Sequence, residues 1–292
     1  MAATTVIPAK QKSRFDLRVF LAFAAIYVLW GSTYLAIRIA VQLVPPLFAA
    51  GVRFFFAGTL LYVVMRFYGR PRPTGKEWTS LLALGSLMFV VTYGAVFWAE
   101  KYVPSGLTSV LEATLPLITI ALEVFVFRQQ RFRWRLLIPI VVGFAGVLLL
   151  LLHNPQHIPI LPCAAILIGG TAWSLGAVLT RSLPLPKSKG ITAGAEMMFG
   201  GAILLILSAS AGEMHPFPHV SAKAAGALLY LVIAGSLLGF SAFVWLLGRM
   251  PATRVASHAY INPVVAVALG YFVAGEVVTP RMLLGTALIV AS

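Results

Sequence analysis

The sequence predicts an all-α membrane protein with ten transmembrane helices arranged as two inverted five-helix repeats. Three observations predict this class: a composition too apolar for water, a series of apolar runs of spanning length, and an internal repeat. Of the 292 residues, 60% are hydrophobic and only 10% are charged, and the mean hydropathy is +0.94. A soluble domain carries about 25% charged residues, so a lipid bilayer is the solvent that suits this chain.

Ten apolar runs approach or exceed the length of about 20 residues that a helix needs to cross a bilayer. They are 18–40, 44–66, 78–99, 104–127, 134–152, 159–181, 190–211, 222–247, 251–274 and 280–292. The last run is too short to span, so we expect the natural chain to continue past Ser292, or this end to be trimmed or disordered. The runs divide the chain into an N-terminal tail (1–17), a first half (18–152) and a second half (159–292).

Basic residues are distributed unevenly among the connections between these runs. Of the 22 Lys and Arg residues, seventeen lie in the tail and in alternate connections, three in the remaining connections, and two, Arg38 and Arg53, within spans. Because connections rich in Lys and Arg stay in the cytoplasm, we predict that both termini are cytoplasmic. The net charge of +14 thus reflects membrane orientation, and we expect the lipid bilayer rather than nucleic acid as the partner.

An internal repeat relates the two halves of the chain. Residues 49–61 align with 192–204, and Trp30 and Arg38 have the spacing of Trp173 and Arg181, at an offset of 143. Further on, the offset is 147, and the matched residues are Trp98 with Trp245, Pro104 with Pro251, and Pro116 with Pro263. Each half has five predicted helices, so the second half enters the membrane from the opposite side. Inverted repeats are typical of transporters, whose substrate site lies near the midplane between the halves.

Four ionisable residues fall well inside predicted spans, where a charge costs about 2.5–3.5 kcal/mol on insertion scales. Counted at 1.5 Å per residue from the helix ends, Arg53 and Glu112 share a depth in the outer half of the membrane. Glu196 and His258 share a depth in the inner half. We predict one ion pair in each half, acting as alternating gates or as a proton site. The alternative is a purely structural role, in which each pair fixes helix positions.

Aromatic and proline residues near the midplane are further candidates for the substrate site. Trp30 and Trp173 lie too deep for interfacial anchoring, and they form either an aromatic platform for a ligand or part of the core. Pro116 and Pro263 should bend their helices and free backbone carbonyls; plain bending is the alternative. Other candidate substrate ligands, close to these features or in the same spans, are Thr33, Ser109, Glu112, His258, Tyr260 and Asn262.

Four segments resemble the EamA-type drug/metabolite transporters, particularly bacterial inner-membrane members that include aromatic amino-acid exporters. The segments are LWGSTYLAIR (29–38), PPLFAAGVRF (45–54), VPSGLTSVLEATLPL (103–117) and SHAYINPVVAVALGYFVAGE (257–276). The resemblance implies a ten-helix fold with a central cavity and the export of amino acids or similar metabolites. The chain departs from the family pattern after the fourth helix, where Gln129 aligns with Glu276 of the second half.

These features favour a secondary transporter of the inner membrane that exports amino acids, aromatic or other neutral, or related small metabolites by alternating access. The zinc-protease pattern H-E-x-x-H and a phosphate-binding loop are both missing from the sequence. We therefore expect no metal or other cofactor and no enzymatic activity, and we expect a monomer. The first alternative is a passive channel for small solutes, and the second, less favoured one is a membrane-embedded enzyme.

Overall fold

The computed structural model describes residues 16–129 and 159–291 and, between them, only Trp134, Ile138, 141–143, 145–146 and 149. All regular structure in these residues is helical. The helices are α1 (Leu17–Leu43), α2 (Pro46–Phe67), α3 (Gly75–Ala99), α4 (Ser105–Val126), α5 (Ile160–Leu179), α6 (Lys189–Ser210), α7 (Ala222–Leu247), α8 (Ala252–Val255), α9 (His258–Ala274) and α10 (Pro280–Ala291).

Seven of these helices, α1 to α7, are long and apolar enough to cross a membrane. The apolar helix α9 is shorter, with 17 residues, and α10 has 12. The predicted fifth span, 134–152, falls mostly outside the described residues, as does most of the predicted N-terminal tail. The structure therefore confirms the all-α class of membrane protein, while the count of ten spans and the orientation of the termini stay predictions.

The two halves are joined along α2 and α6, which make the most extensive contact between helices in the described structure. Small residues allow their backbones to approach closely, as in many membrane helix pairs. A Cβ atom added at Gly58 would lie 2.2 Å from the backbone nitrogen of Met198, and one added at Gly201 would lie 2.1 Å from that of Phe55. Gly58 and Gly201 are related by the repeat offset of 143, so the contact has the symmetry of the repeat.

Helix ends also follow the repeat. The chain leaves α2 through Gly69 (φ 72°) and α6 through Gly212 (φ 77°), again at an offset of 143. After α9 it turns through Gly275 (φ 66°), whose counterpart at an offset of 147 is Arg128 (φ 51°). Glycine adopts this left-handed conformation at little cost, whereas Arg128 carries the steric penalty of a Cβ atom.

Two helical spans are interrupted close to their repeat-related prolines. In α4, a turn at Ala113 and Thr114 separates Ser105–Glu112 from the stretch that begins at Leu115, and Pro116 lies in the first turn of that stretch. A second turn, at 256–257, separates α8 from α9. Broken helices at this depth are typical of transporter binding sites.

Two carboxylates of the second half cap helices of the first half. Glu276 accepts hydrogen bonds from the backbone nitrogens of Ser105 (2.9 Å) and Gly106 (3.0 Å) at the start of α4. Glu213 accepts a hydrogen bond from the backbone nitrogen of Phe48 (2.9 Å) at the start of α2. A carboxylate at a helix N-terminus satisfies unpaired N–H groups and complements the helix dipole, so these contacts tie the halves together at one end of the bundle.

Substituting Gly201 by Ala should lower the thermal unfolding midpoint of the purified protein in detergent. The added Cβ would collide with backbone, which cannot move aside as a side chain could, and such overpacking costs about 1–3 kcal/mol. Gly226→Ala is the matched control, because a Cβ at this helical position meets no atom within 4 Å. Equal midpoints for the two variants would contradict the close approach of α2 and α6.

Substituting Arg128 by Gly should raise the stability of the protein by roughly 1 kcal/mol, because it removes the cost of a left-handed conformation at a residue with a Cβ. The reverse change at the repeat-related position, Gly275→Ala, should lower it by a similar amount. Thermal unfolding in detergent measures both. A loss of stability in Arg128→Gly would show that this end of α4 is not under the expected strain.

Candidate functional site

A narrow cavity lies between the two halves of the chain. Side chains of α1, α3, α4, α5 and α9 line it: Trp30, Thr33, Tyr34, Ile37, Thr92, Tyr93, Val96, Glu112, Leu115, Trp173 and His258. These side chains leave room for little more than a water molecule. The described conformation is therefore closed around the cavity, and a ligand as large as an amino acid requires some of the lining helices to move apart.

The repeat-related tryptophans meet at this cavity. The rings of Trp30 and Trp173 are perpendicular, with centroids 5.6 Å apart, and the ring of Phe243 lies 5.1 Å from each. The indole N–H of Trp30 donates to the backbone carbonyl of Gly235 (2.9 Å). The indole N–H of Trp173 has no acceptor among the described residues. Trp30 thus has a structural bond that Trp173 lacks, although both contact the cavity.

Glu112 reaches the cavity from the end of the first half of α4. Its side chain is only partly buried, and its carboxylate accepts a short hydrogen bond from the Tyr34 hydroxyl (2.5 Å). Pro116 follows four residues later and has no N–H to donate to the Glu112 carbonyl. The amide of Leu117 donates to Thr114 instead (3.0 Å). The negative end of a helix and an acidic side chain therefore coincide at this point.

Arg53 does not form the predicted ion pair with Glu112. Its Nε atom donates to Ser236 Oγ (3.0 Å), and its guanidinium lies 4.5 Å from the ring centroid of Phe54 and 5.1 Å from that of Tyr93. Its Nη1 atom is buried without a hydrogen-bond partner in the described structure. The prediction was wrong because equal depth along two helices says nothing about the direction in which their side chains point.

The predicted pair of Glu196 and His258 is also wrong. Glu196 lies where α6 packs on α3, whereas His258 lies where α9 packs on α1. Glu196 is buried on α6, where a Cβ added at Gly85 of α3 would come within 2.7 Å of its backbone oxygen. His258 packs on Trp30, with ring centroids 4.8 Å apart. One carboxylate oxygen of Glu196 and the Nε2 atom of His258 are buried without a described partner.

Asn262 orients the His258 ring and ties α9 to α1. Its side-chain nitrogen lies 3.1 Å from the carbonyl oxygen of Tyr27, and its oxygen lies 3.1 Å from His258 Nδ1. In this orientation both groups are satisfied, which assigns the proton of the neutral imidazole to Nδ1. His258 Nε2 is then left as a hydrogen-bond acceptor.

The remaining predicted residues lie around the cavity but mostly do not line it. Thr33 lines it, and its hydroxyl is bonded to the Trp30 carbonyl (2.6 Å). The Ser109 hydroxyl is bonded to the Gly106 carbonyl (2.6 Å). Tyr260 is half-buried on α9, away from the lining, and Pro263 lies inside the same helix. The polar groups near the prolines therefore mainly form hydrogen bonds to other groups of the protein.

Sequence reasoning missed three polar residues of the cavity: Tyr34, Thr92 and Tyr93. Tyr34 could have been predicted from the sequence, because it follows Trp30 by four residues and so lies on the same helix face. Thr92 donates to the carbonyl of Gly169 (2.8 Å), directly after the π-helical stretch Ser86–Val91 of α3. Neither the local widening of α3 nor this contact has a recognisable sequence pattern.

At the end of α3, the half-buried Arg38 of α1 and the buried Glu100 form a further group that sequence reasoning did not identify. The Arg38 guanidinium donates to the backbone carbonyl of Glu100, at the end of α3. Both carboxylate oxygens of Glu100 are buried without a described partner, and burial raises the pKa of this carboxyl well above its ordinary value. No cluster of three or more potential metal ligands occurs among the described residues.

Comparison with known proteins agrees with this architecture. A relative in Escherichia coli K12, the "Uncharacterized inner membrane transporter YedA", is 37% identical over 266 residues, which cover 89% of this chain and 84% of that protein. A "Probable amino-acid metabolite efflux pump" of Salmonella typhimurium is 28% identical, covering 93% of this chain and 92% of that one. A crystal structure with 19% identity shares the fold, with a TM-score of 0.67 over 94% of this chain and 95% of that chain.

The model of the EamA-like transporter family matches residues 17–152 and again residues 160–292. The two matches together cover nearly the whole sequence, and they follow one another as the internal repeat does. The chain belongs to the EamA-like transporter family.

Proposed function

We propose that the chain is a secondary transporter that exports amino acids, aromatic or other neutral, or related small metabolites across a bacterial inner membrane. The observation that carries this proposal is the cavity between the halves, which is closed by side chains of both and flanked by the repeat-related Trp30 and Trp173. The names of two relatives, an inner membrane transporter and a probable amino-acid metabolite efflux pump, support the location and the substrate class.

Alternating access is the mechanism that this arrangement favours. Two five-helix halves of opposite orientation can exchange conformations, which opens the cavity first to one side and then to the other. In this proposal the chain has ten spans and two cytoplasmic termini, and it acts as a monomer. The proposal takes the described conformation, whose cavity is almost filled by side chains, as a state between the two open ones.

The same proposal keeps a gating or coupling role for the buried ionisable groups, although they do not form the predicted ion pairs. Arg53 and Glu196 occupy repeat-related positions on α2 and α6, at an offset of 143. Each has one buried polar atom without a described partner, Nη1 and Oε1 respectively. A rearrangement that supplies a partner to one of them would repay part of the cost of its burial. Pro116 and Pro263 provide the interrupted hydrogen bonding that lets their helices bend.

Counterflow in proteoliposomes tests the function. Vesicles loaded with unlabelled phenylalanine should accumulate labelled phenylalanine transiently and saturably. Trp173→Ala should reduce the initial rate by about tenfold, equivalent to about 1.4 kcal/mol of lost aromatic contact, and Trp173→Phe should reduce it less. The control is Trp134→Ala, because Trp134 is 77% exposed.

Two results would contradict this account in different ways. If none of the twenty amino acids supports counterflow, the substrate proposal is removed. If flux rises linearly with phenylalanine concentration and never saturates, the protein is a passive channel rather than a carrier.

A further inference from the structure

Most hydrogen-bond donors at the cavity are already used within the protein, the indole N–H of Trp173 being the exception noted above. Four lining residues already use their hydrogens within the protein: Trp30 donates to Gly235, Thr33 to Trp30, Tyr34 to Glu112 and Thr92 to Gly169. The acceptors, in contrast, retain capacity. The Glu112 carboxylate accepts one short bond from Tyr34 and has further lone pairs, and His258 Nε2 has no described partner.

The Glu112 carboxylate has no basic partner in the described structure, although a charge at this depth needs one. The two arginines that the spans contain are engaged elsewhere. Arg38 donates to backbone carbonyls at the end of α3, and Arg53 donates to Ser236 Oγ. Glu112 is also the one Asp, Glu, Lys or Arg side chain among the lining residues, and the Nδ1 atom of the lining residue His258 is already bonded to Asn262.

The backbone reinforces the negative potential at the same place. Glu112 is the last residue of the first half of α4, so the C-terminal end of that helix dipole lies beside its carboxylate. Because Pro116 removes the α-helical donor to the Glu112 carbonyl, that oxygen is also without its usual partner. Ends of broken helices with freed carbonyls are the places where transporters bind cations.

Aromatic rings surround this acidic point. The cavity is lined by Trp30, Tyr34, Tyr93 and Trp173 together with Glu112, and the ring centroids of Tyr93 and Trp173 are 5.8 Å apart. Faces of Trp and Tyr attract ammonium groups within about 6 Å. An ammonium group is therefore favoured here by the carboxylate, by the helix end and by the rings, whereas a carboxylate would meet no cationic lining residue.

We propose that Glu112 binds the ammonium group of the transported molecule, so that the substrates are aromatic or apolar primary amines for which a carboxylate is dispensable. This inference rests on the proposed transport function and specifies the chemistry of its site. It extends the substrate class beyond amino acids to their decarboxylated amines, and it excludes the corresponding deaminated acids.

Three probes that share one phenyl ring separate the two charged groups. Phenylalanine has both groups, phenethylamine only the amine, and hydrocinnamate only the carboxylate. We expect phenethylamine and phenylalanine to raise the thermal unfolding midpoint of the purified wild-type protein at pH 7, with hydrocinnamate at least about tenfold weaker. In Glu112→Gln, the apparent affinity for both amines should fall at least about tenfold, while that for hydrocinnamate should not fall, because a repelling charge is removed.

The folding of the variant is controlled within the same experiment. The glutamine oxygen can still accept the hydrogen bond from Tyr34, so Glu112→Gln should elute as a single species on size exclusion and unfold near the wild-type temperature. Glu77→Gln is the matched control: Glu77 closes a capping box with Thr74 at the start of α3, outside the cavity, and glutamine suits that position equally. It should bind all three probes as the wild type does.

The proposal is overturned if hydrocinnamate binds the wild type as tightly as phenethylamine, if Glu112→Gln retains amine binding, or if no probe stabilises the wild type. Counterflow of the same probes separates this failure from that of the proposed function. Saturable phenylalanine counterflow that is unchanged in Glu112→Gln would remove the role of Glu112 alone. Amine binding without counterflow of any amino acid would remove the transport of amino acids and leave the ammonium site in place.

Discussion

The contact between α2 and α6 is the constraint on which the rest of the structure depends. In a membrane, helices gain little from burying apolar surface against each other, so close packing decides how they associate. Gly58 and Gly201 let the two backbones touch, and their repeat relationship places the contact on the axis that relates the halves. With α2 and α6 held together, α1 and α5 bring Trp30 and Trp173 into contact. These two side chains then form part of the cavity wall.

The backbone of the two halves is nearly symmetric, but the polar side chains at repeat-related positions differ. At repeat-related positions, Glu112 stands opposite Ala259, Arg53 opposite Glu196, and Glu276 opposite Gln129. Glu276 caps α4 across the halves, whereas Gln129 donates a long hydrogen bond to Ser182 (3.4 Å). In the proposed mechanism this backbone provides two related conformations to exchange, and the unmatched side chains give the two ends of the bundle different contacts.

The sequence predicts the class of the fold and part of the site, each for a physical reason. Lipid demands long apolar helices, and the repeat marks Trp30 and Trp173 as counterparts, so both were identifiable. The ion pairs were not, because helical depth determines only one coordinate of a side chain, and Arg53 turns towards Ser236 rather than Glu112. The π-helical stretches of α3 and α7 were also unpredictable, since an extra residue per turn leaves hydrophobic runs unchanged.

The most direct test of this account is the side of the membrane reached by the two repeat-related connections, 68–74 and 211–221. In a Cys163→Ala background, the exposed residues Arg70 and His219 would each be replaced by cysteine and treated with a membrane-impermeant maleimide. We expect His219→Cys to react in intact spheroplasts and Arg70→Cys to react only in inside-out vesicles. Reaction of both positions from the same side would contradict the inverted arrangement of the halves, and with it alternating access.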